Sequence, residues 1–315
     1  MIKIAFVSIF YPLFMGRYML EALLRRDDVE VWTTGPFTGR WIPWKGGMNL
    51  DPDYHYTPHH PLPAGSPPYQ LHFKMAEKQC PFEPDLWINV SSTLKTHGRP
   101  SKGKYAVIAA DPHVLNYDEE RAKADFFFGM QKPYIKPGDI WLPYGYDPIW
   151  HAQTTIPASE RTFDAALIGL NYPSRNSLVE RLRQPNTHKH RDGHGFKVFY
   201  DIGPCYHDAR EIYQDTVIGL NYSSLKDTTA RVFELMALGI TPVLNRVPDL
   251  MEMFKDRKDF LGFDTEDEAI AMVHSALDDL DWAQEIGENA RKAVEPHSWD
   301  ARMEKVLRKA GCLTD

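Results

Sequence analysis

TVIGLNY (216–222), DTTARVFELMALG (227–239) and ITPVLN (240–245) follow one another, the first two parted only by SSLK. The outer two are short apolar runs. The middle one sets Val232, Phe233, Leu235 and Met236 on a helical face and ends at Gly239, a residue suited to closing a helix. Strand, helix and strand in that order make a βαβ unit, whose two strands lie parallel.

The same alternation runs outward in both directions. Before it come DAALIG (164–169), a helical stretch over 174–183, FKVFYD (196–201) and a helix over 207–214. After it come a helix over 249–254, the strand DFLGF (259–263), two helical patterns over 266–293 and, past Pro296, a last helix over 299–310. In the first half IKIAFVS (2–8), VEVWTT (29–34), LWINV (86–90), YAVIAA (105–110) and IWLP (140–143) read as strands. Met19, Leu20, Leu23 and Leu24 mark a helix within 16–26. The fold class is therefore α/β with parallel sheets. Residues 41–84 carry nine prolines and read as an irregular stretch lining a pocket. The polar, aperiodic HAQTTIPASER (151–161) reads as a linker between residues 1–150 and 162–296.

Composition narrows the function. The 315 residues are 43% hydrophobic and 25% charged, ordinary for a globular chain long enough for two domains. No apolar run approaches the roughly 20 residues of a membrane helix, and the N-terminus reads as a first strand rather than a secretion signal, so a cytoplasmic location is expected. Cys80, Cys205 and Cys312 form no CxxC pair, which argues against a disulfide framework or a thiolate zinc site. The net charge of −7 disfavours nucleic acid as partner. Residues 264–288 hold nine acids and no Lys or Arg, however, so the remainder is slightly basic. Its basic stretches gather Lys95, Arg99, Lys102 and Lys104, and Arg181, Arg183, Lys189, Arg191 and Lys197, so a nucleic-acid partner stays possible.

Several familiar motifs fail. No GxGxxG occurs. The string GRPSKGKY (98–105) approaches a phosphate-binding P-loop, but Tyr105 stands where a Ser or Thr must reach magnesium, and a strand follows where a helix is required. Asp51 and Asp53 make a DxD inside the proline-rich stretch, where an Asp-initiated turn is the simpler reading. His188, His190 and His194, with Cys205 beyond, read as exposed loop residues rather than metal ligands. No metal or resident cofactor is expected.

The chemistry concentrates on the helix of the opening window. Asp227 or Thr228 is placed to cap it, and its first-turn amides favour an anion. Glu234 sets a carboxylate beside Ala230, Ala237 and Leu238. Such a group needs a partner: either Arg231 three residues earlier, or the two hydroxyls of a ribose, each charge-assisted bond contributing roughly 1.5–3 kcal/mol.

FELMALGITPVLN resembles the donor-site motif of GT-B glycosyltransferases, in particular glycosyltransferase family four and the spore-maturation type. LPYGYDPIWH (142–151), AALIGLNYPSRN (165–176) and HSWDARMEKVL (297–307) are similar, in the right order, to the strand entering the hinge, the first donor-domain strand and loop, and a C-terminal helix that crosses back to the first domain. The resemblance implies two Rossmann-like domains facing across a cleft, with residues 297–315 returning to the first. It implies that Glu234 holds the ribose of a nucleotide-diphosphate sugar of UDP or GDP type, with Gly169 and Asn171 at the diphosphate and Arg175 and Arg231 neutralising it in place of a metal. Lys226 stands where family four often has a second Glu, with Asp227 and Thr228 beside it, which leaves sugar and stereochemistry open. In the first domain Gly16 and Arg17 follow strand one on the rim where parallel sheets bind ligands. Asp111 and His113 follow another strand, each able to accept the acceptor hydroxyl's proton unless the leaving phosphate takes it in a retaining reaction. The expected function is metal-independent sugar transfer to a glycan, metabolite, protein or hydroxylated DNA base. A nucleotide-sugar epimerase or a non-catalytic nucleotide-sugar binder on the same scaffold is the alternative.

Overall fold

The computed structural model describes residues 1–39, 41–42, 48–49, 57–65, 68–91, 93–112, 115–184, 195–223, 225 and 227–314. Asp51, Asp53, His113, His188, His190, His194 and Lys226 lie outside the described residues. The chain divides into two units, residues 1–143 with 299–315, and residues 144–298.

The first unit runs β1 (Ile2–Ser8), α1 (Gly16–Leu24), β2 (Val29–Phe37), β3 (Trp41–Ile42), β4 (Met48–Asn49), β5 (His60–Pro63), β6 (Tyr69–His72), α2 (Phe73–Gln79), β7 (Leu86–Ser91), β8 (Leu94–His97), β9 (Lys104–Ala109), α3 (Asp118–Lys123), β10 (Phe126–Gly129) and β11 (Ile140–Trp141). Seven strands form one sheet in the order β11-β10-β9-β7-β1-β2-β5, every neighbouring pair parallel. All six residues of β7 are buried, as a central strand covered on both faces requires. One face carries a core of Phe73, Trp87, Tyr105 and Val107.

The second unit runs β12 (Phe163–Ile168), α4 (Pro173–Arg183), β13 (Val198–Asp201), α5 (His207–Gln214), β14 (Thr216–Asn221), α6 (Ala230–Ala237), β15 (Thr241–Asn245), α7 (Pro248–Met253), β16 (Leu261–Phe263), α8 (Glu266–Asp278) and α9 (Leu280–Val294). Its five strands are parallel in the order β13-β12-β14-β15-β16, over a core that includes Leu167, Ile218, Val243 and Phe263. The chain then re-enters the first unit as α10 (Trp299–Lys309), which packs on α1. Trp299, Met303, Val306 and Leu307 are buried there, and Arg25 grips Asp300 through two bonds of 2.8 and 3.0 Å.

The proline-rich stretch is less irregular than its composition implies. β5 adds to β2 at the sheet edge, where Pro61 and Pro63 cost no ladder bond on the open side. β6 pairs with β8, and α2 begins directly after it. Among the described residues no helix is long and apolar enough to cross a membrane.

Candidate functional site: an arginine pair at the switch of the second sheet

In the second sheet the chain leaves β12 toward β13 on one side and returns to β14 on the other. The carboxyl ends of β12 and β14 therefore flank a topological switch, where open parallel sheets bind ligands. The groups gathered there are mostly basic. Gly169 follows β12 with φ +150°, and a Cβ on it would lie 2.1 Å from Nη2 of Arg231. Only a glycine leaves room for that guanidinium against the turn. The Gly169 amide itself donates to the Asp201 carbonyl at 2.9 Å.

Arg231 reaches this place from the first turn of α6, and its Nη1 donates to Oδ1 of Asn221, the last residue of β14, at 3.2 Å. Behind it stands the buried Tyr213, whose hydroxyl accepts the Ile168 amide at 2.9 Å and whose ionisation burial pushes upward. Arg175, on α4, is 6% exposed and donates to the carbonyls of Tyr222 and Leu170, each at 3.0 Å. Burial, and then the charge of Arg231, push its guanidinium down to about 10, so it remains a cation at neutral pH. Neither arginine meets a carboxylate among the described residues. Two neighbouring cations that repel each other and lack an acid are relieved by an anion.

Glu234 lies one turn beyond Arg231. It does not pair with Arg231; its carboxylate, 27% exposed, faces Nε2 of His151 at 3.8 Å. At that distance the Glu234 carboxylate can still take a stronger partner. His151 closes the turn after β11: its ring Nδ1 lies 3.0 Å from the Asp147 amide, and Asp147 Oδ1 accepts the amides of Ile149 and Trp150. Nothing in sequence spacing marks His151, which comes near Glu234 only through the tertiary fold.

The cap differs from expectation. Thr229 holds the N-cap position of α6 without a side-chain bond to the helix amides, and its hydroxyl donates instead to Asn221 Oδ1 at 3.2 Å. Asp227 is buried, with Oδ1 accepting the Ser223 hydroxyl at 3.1 Å. The Thr228 amide donates to Asp249 Oδ2 at 3.1 Å, and its buried hydroxyl has no hydrogen-bond partner among the described residues. Asp227 and Thr228 thus shape the loop ahead of α6 rather than cap the helix. Asn171 is exposed between Leu170 and Tyr172.

In the first unit, Gly16 opens α1 so close to β1 that a Cβ would meet Ser8 Oγ at 2.6 Å. Arg17 is 6% exposed and ion-paired with Glu21 at 2.7 Å. Asp111 follows β9 in the left-handed region, φ +51°, a conformation costly for a non-glycine residue. Among the described residues no group of three metal-ligating side chains occurs.

Residues 204–308 match a family model described as glycosyl transferase-like. Over that third of the chain the sequence is similar to glycosyltransferases. Its fold is similar to that of HepE from Anabaena in complex with UDP and glucose, at TM-score 0.63 and 12% identity over 99% of this chain and 100% of that one. An alpha-glucosyltransferase in complex with UDP-glucose and DNA containing an abasic site gives TM-score 0.59 and 11% identity over 98% and 99% of the two chains. A UDP-N-acetylglucosamine 2-epimerase gives 0.56 and 13% over 100% and 98%. No curated protein sequence matches the chain. At such identities the likeness establishes the fold, an α/β architecture with parallel sheets as in GT-B glycosyltransferases.

Proposed function

We propose that the chain is a metal-independent glycosyltransferase of the family-four or spore-maturation type, moving a sugar from a nucleotide-diphosphate sugar to an acceptor hydroxyl. One observation carries the reading: Arg231 and Arg175 converge on the Gly169 turn with no acid between them among the described residues, one helical turn from a carboxylate that faces His151 at 3.8 Å. Glu234 accepts both ribose hydroxyls, and the arginine pair neutralises the diphosphate. As the bond from the anomeric carbon to the terminal phosphate oxygen breaks, negative charge grows on that phosphate. Fixed cations there lower the barrier without a metal. The acceptor oxygen forms the new bond to the anomeric carbon, and its proton passes to the departing phosphate, the route of a retaining reaction. In an inverting reaction Asp111 or His113 of the first unit takes that proton. Gly16 and Arg17 belong to the same acceptor-side rim. The donor nucleotide is of UDP or GDP type; UDP or UDP-glucose is bound by HepE and by the alpha-glucosyltransferase.

Calorimetric titration of UDP and GDP into wild type and Glu234→Ala tests the reading. Affinity should fall more than tenfold in the variant, with an unchanged melting temperature; equal affinity refutes the ribose assignment. The likeness to the epimerase fold favours a second reading, nucleotide-sugar epimerisation. Consumption of the donor to an isomeric nucleotide sugar, with no acceptor present, would establish it instead. A protein that binds the donor and neither transfers nor hydrolyses it would be a nucleotide-sugar binder.

A further inference from the structure

The basic string between Gly98 and Lys104 has no part in the site above. Gly98 (φ +75°) and Gly103 (φ +77°) fold it into the bend joining β8 to β9. A Cβ on Gly103 would meet the Pro84 carbonyl oxygen at 2.3 Å, so the bend lies tight against the segment entering β7. The Trp87 indole N–H, donating to the Lys102 carbonyl at 3.2 Å, fixes it there. Between this bend and α2 is a cavity of about 680 Å³, within the range of small-molecule sites. Phe82, Pro84 and Trp87 supply its apolar wall.

The rim is charged. Lys74 and Lys78, exposed and one turn apart on α2, stand with Arg99 and Lys102 against Glu77 and Glu83. The acids are engaged: Glu77 accepts the Ser101 amide and hydroxyl at 2.5 and 2.7 Å, and Glu83 pairs with Lys102 at 2.6 Å. Arg99 pairs with Asp125 at 3.0 Å. Lys74 and Lys78 pair with no carboxylate among the described residues. Burial and the neighbouring His72, Lys95 and Lys123 hold His97 below its ordinary pKa, so it adds no charge at neutral pH. With Asp125 counted beside Arg99, four cations face three acids and the rim keeps one positive charge in excess, on the side of Lys74 and Lys78. A phosphate monoester, with a second pKa near 6, carries nearly two negative charges at neutral pH.

The position separates this cavity from any acceptor site. Pro84 and Lys102 stand two residues before β7 and β9, at the amino edge of the first sheet, whereas parallel sheets bind their substrates at the carboxyl edge. We propose that the cavity is a second binding site, for a small organic phosphate monoester with an aromatic body. Lys74 and Lys78 meet the phosphate, and the wall of Phe82 and Pro84 meets the ring.

Phenyl phosphate is the probe, followed by nuclear magnetic resonance titration of wild type and of a Lys74→Glu, Lys78→Glu double variant. Both side chains are exposed, so an unchanged melting temperature certifies the variant's fold. Saturable binding to wild type, weakened tenfold or more in the variant, is expected. Benzyl alcohol, which lacks the charge, and inorganic phosphate, which lacks the ring, should each bind at least tenfold more weakly than phenyl phosphate. Equal affinity in the double variant, or no saturation by phenyl phosphate, would overturn the site. Equal binding of inorganic phosphate would overturn the role of the apolar wall. An oligonucleotide held through Lys74 and Lys78 while phenyl phosphate is ignored would replace the small ligand with a nucleic acid.

Discussion

Gly169→Ala is the sharpest perturbation of the proposed diphosphate site, because it moves a guanidinium without removing it. The new methyl carbon would stand 2.1 Å from Arg231 Nη2 and 3.0 Å from Cζ, well inside contact distance, so the guanidinium must leave. The backbone, at φ +150°, suits no residue with a Cβ and adds roughly 1–3 kcal/mol of strain. In a unit of this size that lowers the melting temperature by about 2–4 °C per kcal/mol. A displaced Arg231 also loses Asn221 and one charge-assisted bond to the diphosphate, roughly 1.5–3 kcal/mol, or about 10- to 150-fold in UDP affinity. Calorimetry on wild type, Gly169→Ala, Arg231→Ala and the double variant separates strain from binding. Once Arg231 is gone, adding Gly169→Ala should cost no further affinity, since both changes act through one guanidinium. Wild-type UDP affinity in Gly169→Ala would refute the reasoning, as would additive losses in the double variant.

Arg175→Met should lower both stability and affinity: the Tyr222 carbonyl loses its buried donor, at a cost of roughly 1–3 kcal/mol, and an unmoved denaturation midpoint would contradict this. Transfer should continue in excess EDTA; activity abolished by the chelator and restored by manganese would turn attention back to Asp51 and Asp53. The amide of Asp264 and the charge of Arg246 hold the Glu268 carboxyl below its ordinary 4.5. The folded chain therefore protonates it at lower pH than the unfolded chain, so its contribution is complete above pH 4.5 and fades as pH falls through the folded value. Arg246→Met should flatten the dependence of melting temperature on pH below 4.5, and an unaltered slope would remove Arg246 from that role.

Most of the second unit was legible because its periodicities are strong and local. The βαβ unit of the opening window has a strand ladder and an apolar helical stripe that belong to it whatever surrounds it, and α5 appears over the residues its pattern marks. Pro173 starts α4 one residue before the expected stretch, as its fixed φ favours. The first unit hid more. β5, β6, β8 and α2 are four to seven residues long, and their partners, not their composition, make them regular. At the site, Glu234 and Arg231 stood out as charges on an apolar helix. The engagement of Arg175 with two carbonyls, the Asn221 anchor and the approach of His151 depend on contacts that only the folded chain creates.

The order of synthesis gives α10 a consequence of its own. Residues 144–298 form the second unit without interruption, so it is complete when Ser298 leaves the ribosome. The sheet made from residues 1–143 has by then been out far longer, yet the face of α1 that α10 covers stays wet until α10 emerges. A message cut short after codon 298 would thus yield a finished carboxyl-terminal body tethered to an amino-terminal one missing its clasp, open to proteases and to its own kind.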